Sequence, residues 1–67
     1  MLSEPFHIRL QSLMASRKLT QSELARRMGV GRVCVNYWYW GINEPSIGTL
    51  RRMRDVLKCS WEELLGE

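Results

Sequence analysis

Sixty-seven residues suffice for one domain and are too few for two, so the apolar side chains must share a single cluster. An apolar fraction of 45% argues against disorder, and no apolar run approaches the roughly 20 residues of a membrane-spanning helix. The net charge of +3 is unevenly spread: Met1 to Cys59 carries ten bases against four acids, while Glu62, Glu63 and Glu67 lie in the last eight residues. A basic body suggests an anionic partner, although a solvated basic surface gives the same count.

The opening MLSEPFHIRL has no basic segment followed by an apolar stretch, so no secretory signal is read there and a soluble cytoplasmic protein is expected. Cys34 and Cys59, with His7 the lone histidine, supply neither a zinc quartet nor a CxxC redox pair. Two reduced thiols are expected, with Cys59 a small core residue beside Leu57 and Trp61. No metal, no cofactor and no small-molecule effector site is expected. His7 has no nucleophile or carboxylate partner in sight and no glycine-rich phosphate loop exists, so an enzyme is not expected.

In chain order, Ser3 ahead of Glu4 and Pro5 opens a first helix of roughly Glu4 to Ser16, with Phe6, Leu10 and Leu13 on one face. Thr20 to Glu23 fits a capping box opening a second helix from about Gln21, where Leu24, Ala25 and Met28 face inward and Gly29 stops it. Gly31 and Gly41 bracket a third segment, Arg32 to Trp40. Val35 and Trp38 face inward with Val30, while Arg32, Val33, Asn36, Tyr37 and Trp40 point elsewhere. Over Val33 to Trp40 alone a strand is a fair rival, and the flanking helices and glycines favour a helix. Ser46 caps a fourth helix lined by Ile47, Leu50, Met53 and Leu57. Ser60 to Glu63 boxes a short fifth, lined by Trp61, Leu64 and Leu65.

Two short helices joined by a glycine turn, the second rich in outward polar and aromatic groups, form the helix-turn-helix plan. The run Leu19-Thr-Gln-Ser-Glu-Leu-Ala-Arg-Arg-Met-Gly-Val-Gly-Arg, followed by Val35, Trp38, Gly41, Pro45-Ser46, Leu50 and Leu57, resembles the Cro/CI-type (XRE) family of DNA-binding domains. The resemblance covers about Phe6 to Leu65. Residues 1–67 are therefore expected to form one all-α, five-helix, lambda-repressor-like domain, with the helix-turn-helix at the second and third helices.

The resemblance implies that the third helix enters the major groove of double-stranded DNA. By that likeness Arg32, Val33, Asn36 and Tyr37 are the base-reading positions. Arg32 suits guanine O6 and N7 or a phosphate, Val33 a thymine methyl, and Asn36 adenine N6 and N7 or a phosphate. Tyr37 stands between base, phosphate and a structural exposed ring. Gln21, at the start of the second helix, suits a phosphate oxygen. Arg26 and Arg27 are phosphate candidates or a solvated face, as are Arg51 and Arg52. Trp40 has three roles open to it: the DNA backbone, a neighbouring subunit, or a local loop residue such as Ile42. The family's dimer surface implies Cys59, Trp61 and Leu65, with Trp61 the anchor, in a homodimer on a palindromic operator.

Three positions depart from the family pattern. Gly31 stands where serine or threonine commonly caps the third helix. Met14 and Tyr39 replace an arginine–glutamate pair with an apolar contact. Arg54 occupies a position usually small and buried, so it either extends to solvent or finds an acid. The expected function is a transcriptional regulator of the repressor kind, in a phage, antitoxin or restriction-controller setting. Two rival readings use the aromatics: a protein-interaction module with Tyr37 and Trp40 as its hot spot, and a single-stranded nucleic-acid binder stacking bases on them.

Overall fold

The computed structural model describes residues 4–66 and places five helices there: α1 (Phe6–Ser16), α2 (Gln21–Met28), α3 (Arg32–Tyr39), α4 (Ile47–Leu57) and α5 (Trp61–Leu65). Among the described residues there is no strand, and Val33 to Tyr39 are helical with Trp40 as the C-cap. The expected cap Ser3 lies outside the described residues. Within them α1 begins two residues later than expected. Pro5 is its extended N-cap rather than a first-turn residue, because its carbonyl accepts from the N–H groups of Ile8 and Arg9.

One cluster holds the helices together. Leu10, Leu13 and Met14 of α1 meet Leu24, Ala25 and Met28 of α2, Val35 and Trp38 of α3, Met53 and Leu57 of α4, and Leu64 of α5. Phe6, Val30, Tyr39, Leu50 and Trp61 pack against this centre, partly buried. Of the two residues that stand in place of the family's ion pair, Met14 is buried in the cluster and Tyr39 packs against it, partly buried. Ile47 does not line the core as its spacing suggested. It is 72% exposed, because the first residue of α4 precedes the turn that faces the interior. Leu65 is 39% exposed, leaving Leu64 as the fully buried residue of α5.

The helix ends follow their capping chemistry. Ser46 and Ser60 accept from the N–H groups of Thr49 and Glu63, and Glu63 returns a bond to the Ser60 N–H, completing its box. Thr20 accepts from the Glu23 N–H, but the reciprocal half expected there is not formed. The Glu23 carboxylate is drawn instead to Arg26 at 2.9 Å and Arg27 at 3.7 Å, one turn along the same helix. Gly29 takes the left-handed conformation, with its N–H bonded to Arg26 O and the Val30 N–H to Ala25 O. This six-to-one and five-to-two pairing turns the chain sharply from α2 into α3.

Three side chains make long-range hydrogen bonds that fix helix directions. Gln11 Nε2 donates to Tyr39 O at 2.8 Å, tying the end of α3 to α1. Arg52 Nη1 donates to Met28 O at 2.9 Å, joining α4 to the end of α2. Arg17 Nε donates to Leu57 O at 2.6 Å and Nη2 to Lys58 O at 3.3 Å, so a cation sits at the negative end of α4. Arg54 resolves its two expected alternatives in both directions. Its guanidinium lies 4.9 Å from the Trp61 ring centre, and Nη2 is 3.4 Å from Asp55 Oδ1 at the surface.

Candidate nucleic-acid interface

Successive α-helical residues rotate by about 100°, so Arg32, Val33, Asn36 and Tyr37 span less than half of the circumference of α3, opposite Val35 and Trp38. The exposures follow that division. Val35 is fully buried and Trp38 only 8% exposed, whereas Val33 is 63% exposed and Tyr37 40%. Arg32 is exposed as well, and Asn36 is half-buried. The outer face of α3 carries no acid, and its N-cap Gly31 offers no side-chain acceptor to the first-turn N–H groups. Those donors and Arg32 together make the start of α3 attractive to anions.

Asn36 is not alone on that face. Its Nδ2 donates to Gln21 Oε1 at 3.1 Å, joining the first residue of α2 to the middle of α3. The Gln21 amide nitrogen and the Asn36 carbonyl oxygen are left for other partners. Two residues read separately from the sequence thus form one unit. Sequence spacing offers no direct signal for that pairing, which depends on how α2 and α3 cross. Gln11 and Arg17, which hold the helices bearing this surface, carry no such signal either, and Arg52, read as a phosphate candidate or a solvated residue, is bonded to Met28 O. All three acceptors are backbone carbonyls remote in sequence.

Trp40 is the C-cap of α3, one residue past its last turn, and is 59% exposed. Its ring meets Tyr39 edge to face, with centroids 5.0 Å apart and planes at 78°. Gly41, in the left-handed conformation, closes the helix with its N–H on Trp38 O and the Ile42 N–H on Tyr37 O. Arg26 and Arg27 are exposed on α2 and share Glu23. Such surface pairs are weak, so either guanidinium can be given up to a stronger anion. Cys59 and Trp61 are half-buried and Leu65 is exposed, at the far end of the molecule's sequence order. Both cysteines are free thiols. Burial pushes the Cys59 thiol above its ordinary value; Arg17 and Arg54 oppose this and Glu63 adds to it.

Among the described residues no group of three or more His, Cys, Asp or Glu side chains is placed to hold a metal ion. No helix among them is long and apolar enough to cross a membrane. A family profile described as helix-turn-helix matches residues 10–64. The chain belongs to the Cro/CI-type helix-turn-helix family. The match spans the core cluster from Leu10 to Leu64, so this Cro/CI-type domain is a DNA-binding transcription regulator of lambda-repressor-like fold. That family is regulatory and not typically enzymatic. No curated protein and no solved structure matches the chain.

Proposed function

We propose that this Cro/CI-type domain is a cytoplasmic repressor that binds a palindromic operator as a homodimer, with α3 in the major groove. The observation that carries the reading is the division of α3, with Val35 and Trp38 inside and Arg32, Val33, Asn36 and Tyr37 turned outward. In this reading those four residues meet base edges, Arg32 by two parallel bonds to guanine. Gln21 bonds a phosphate oxygen while holding Asn36 against its base. Arg26, Arg27 and Trp40 flank the helix on the backbone. Cys59, Trp61 and Leu65 supply the contact between subunits, which sets two half-sites about one helical turn apart.

Selection of bound duplexes from a random pool at moderate salt tests all of this together. A recovered palindrome supports the dimeric reading, and an unsymmetrical or featureless pool refutes it. Competition with unrelated duplex and with single strands discriminates base stacking on Tyr37 and Trp40 from groove binding. Arg32→Ala is expected to relax preference at one position per half-site and to weaken binding there by about 1–3 kcal/mol. Equal weakening on every sequence would assign Arg32 to a phosphate.

A further inference from the structure

The fold carries a second basic surface, which shares only Arg27 with the residues proposed to touch DNA. A groove of about 550 Å³ runs between the end of α1, the turn into α2 and the end of α4. It is lined by Ser16, Arg17, Leu19, Arg27, Val56 and Lys58, together with Leu57. No residue of α3 contributes to it. Its apolar floor is offered by the half-buried Leu19 and Val56, since Leu57 is buried in the core, and its three ionisable residues are all cations.

Two of those cations are without a carboxylate. Neither Arg17 nor Lys58 has an ion-pair partner among the described residues, while Arg27 shares Glu23 with Arg26. The Arg17 guanidinium is also held in place. Nε and Nη2 donate to Leu57 O and Lys58 O, and Nη1 donates to Ser16 Oγ at 2.9 Å. Hydrogen bonds to carbonyls at the end of α4 fix its position without pairing it to a carboxylate, so an incoming anion meets an organised donor rather than a mobile chain. Lys58 stands in the left-handed conformation at the C-cap of α4, and its side chain lines the same groove.

We infer that this groove docks an acidic segment of a partner protein, one carrying apolar side chains between its carboxylates. Charge complementarity sets the sign of the occupant. The apolar floor sets its class, since phosphate oxygens gain nothing from Leu19 and Val56, whereas leucine or valine side chains between acids do. The adjoining cleft of about 300 Å³ bounds the footprint. It brings Glu4 and Glu63 together with Arg9 and Arg17, and so is balanced in charge. The groove is lined from α1, the turn into α2, α2 and α4 and by no residue of α3, so an occupant there leaves the outer face of α3 uncovered. Arg27 stands where the groove meets the α2 surface proposed for phosphate, so the test leaves it intact.

The test is a titration of the isotopically labelled full chain with a short synthetic peptide alternating glutamate with leucine, followed by amide chemical shifts. The expected result is saturable shifts confined to Ser16–Leu19, Arg27 and Val56–Cys59. Lys58→Glu is expected to weaken this binding roughly tenfold, as loss of one attraction and gain of one repulsion at a partly exposed site imply. A folded spectrum for the variant verifies that its structure is kept, and Lys58→Gln, expected to fall between, provides a second measure. Equal binding of the glutamine-for-glutamate peptide would overturn the inference, as would insensitivity to both variants. Shifts of the groove amides with random-sequence duplex but not with peptide would reassign the surface to nucleic acid. Shifts that grow with protein concentration alone would give it to a second copy, through Glu62 and Glu63.

Discussion

Gly41 closes α3 against α1, and replacing it by alanine tests whether that closure is as tight as its geometry indicates. Two penalties are separable. The residue sits at φ +75°, where an alanine costs about 1–2 kcal/mol, partly offset by about 0.4–1 kcal/mol from a stiffer unfolded chain. A Cβ there would also lie 2.7 Å from His7 Nδ1 and 3.1 Å from its Cε1 and Cγ. Relieving such a contact displaces a short, ring-bearing side chain, which costs roughly 1–3 kcal/mol in comparable overpacked sites. The expected loss for Gly41→Ala is therefore about 2–4 kcal/mol, read from urea unfolding followed by tryptophan fluorescence. At roughly 4–8 °C per kcal/mol for a domain of this size, the melting temperature falls by at least about 8 °C. In a His7→Ala background the same substitution should cost only about 1 kcal/mol. Gly29→Ala is the internal reference, because Gly29 has φ +71° and nothing within 4 Å of its would-be Cβ. An equal cost for Gly41→Ala with and without the His7 ring would refute the packing argument and leave only the backbone term.

Other outcomes follow from single contacts. Lys18 occupies the left-handed position after α1, at φ 56°, so Lys18→Gly is expected to stabilise by about 0.5–1 kcal/mol in the same unfolding assay. Arg17→Met keeps the aliphatic stem but removes the donors to Leu57 O and Lys58 O, and should cost about 1–2 kcal/mol, least at high salt. With a raised thiol value, Cys59 contributes stability below the unfolded thiol's pKa that is lost as pH rises through the folded one. Cys59→Ala should accordingly lose stability less steeply than the wild type above about pH 9. Ser60→Ala removes one half of a completed capping box and is expected to cost about 1 kcal/mol, visible as faster amide exchange in α5.

Most of the fold was legible from local chemistry. Gly29, Ser46, Ser60 and Gly41 act at the helix ends where their residue types place them, because capping depends on the nearest few residues. The inward line of α3 was readable for the same reason: Val35 and Trp38 lie three apart with polar neighbours between. Reading failed where one side chain had two suitors. Glu23 had the spacing for a capping box, but Arg26 and Arg27 offered charge on its own helix face, and the choice between them is not written in spacing. It failed again wherever the acceptor was a carbonyl, since every residue carries one. Gln11, Arg17 and Arg52 each look like an ordinary surface residue until the carbonyls of Tyr39, Leu57 and Met28 are placed beside them. At the site, the outward residues of α3 could be named from the pattern, but the bond between Gln21 and Asn36 could not.

In the proposed reading, that bond links the residue placed on the DNA backbone to one placed on a base. If Gln21 follows a phosphate oxygen, Asn36 is carried with it, so the bases Asn36 prefers should vary with the local width of the groove. Operators with stiff, narrow flanks would then be sorted from pliant ones at a position whose letters are identical.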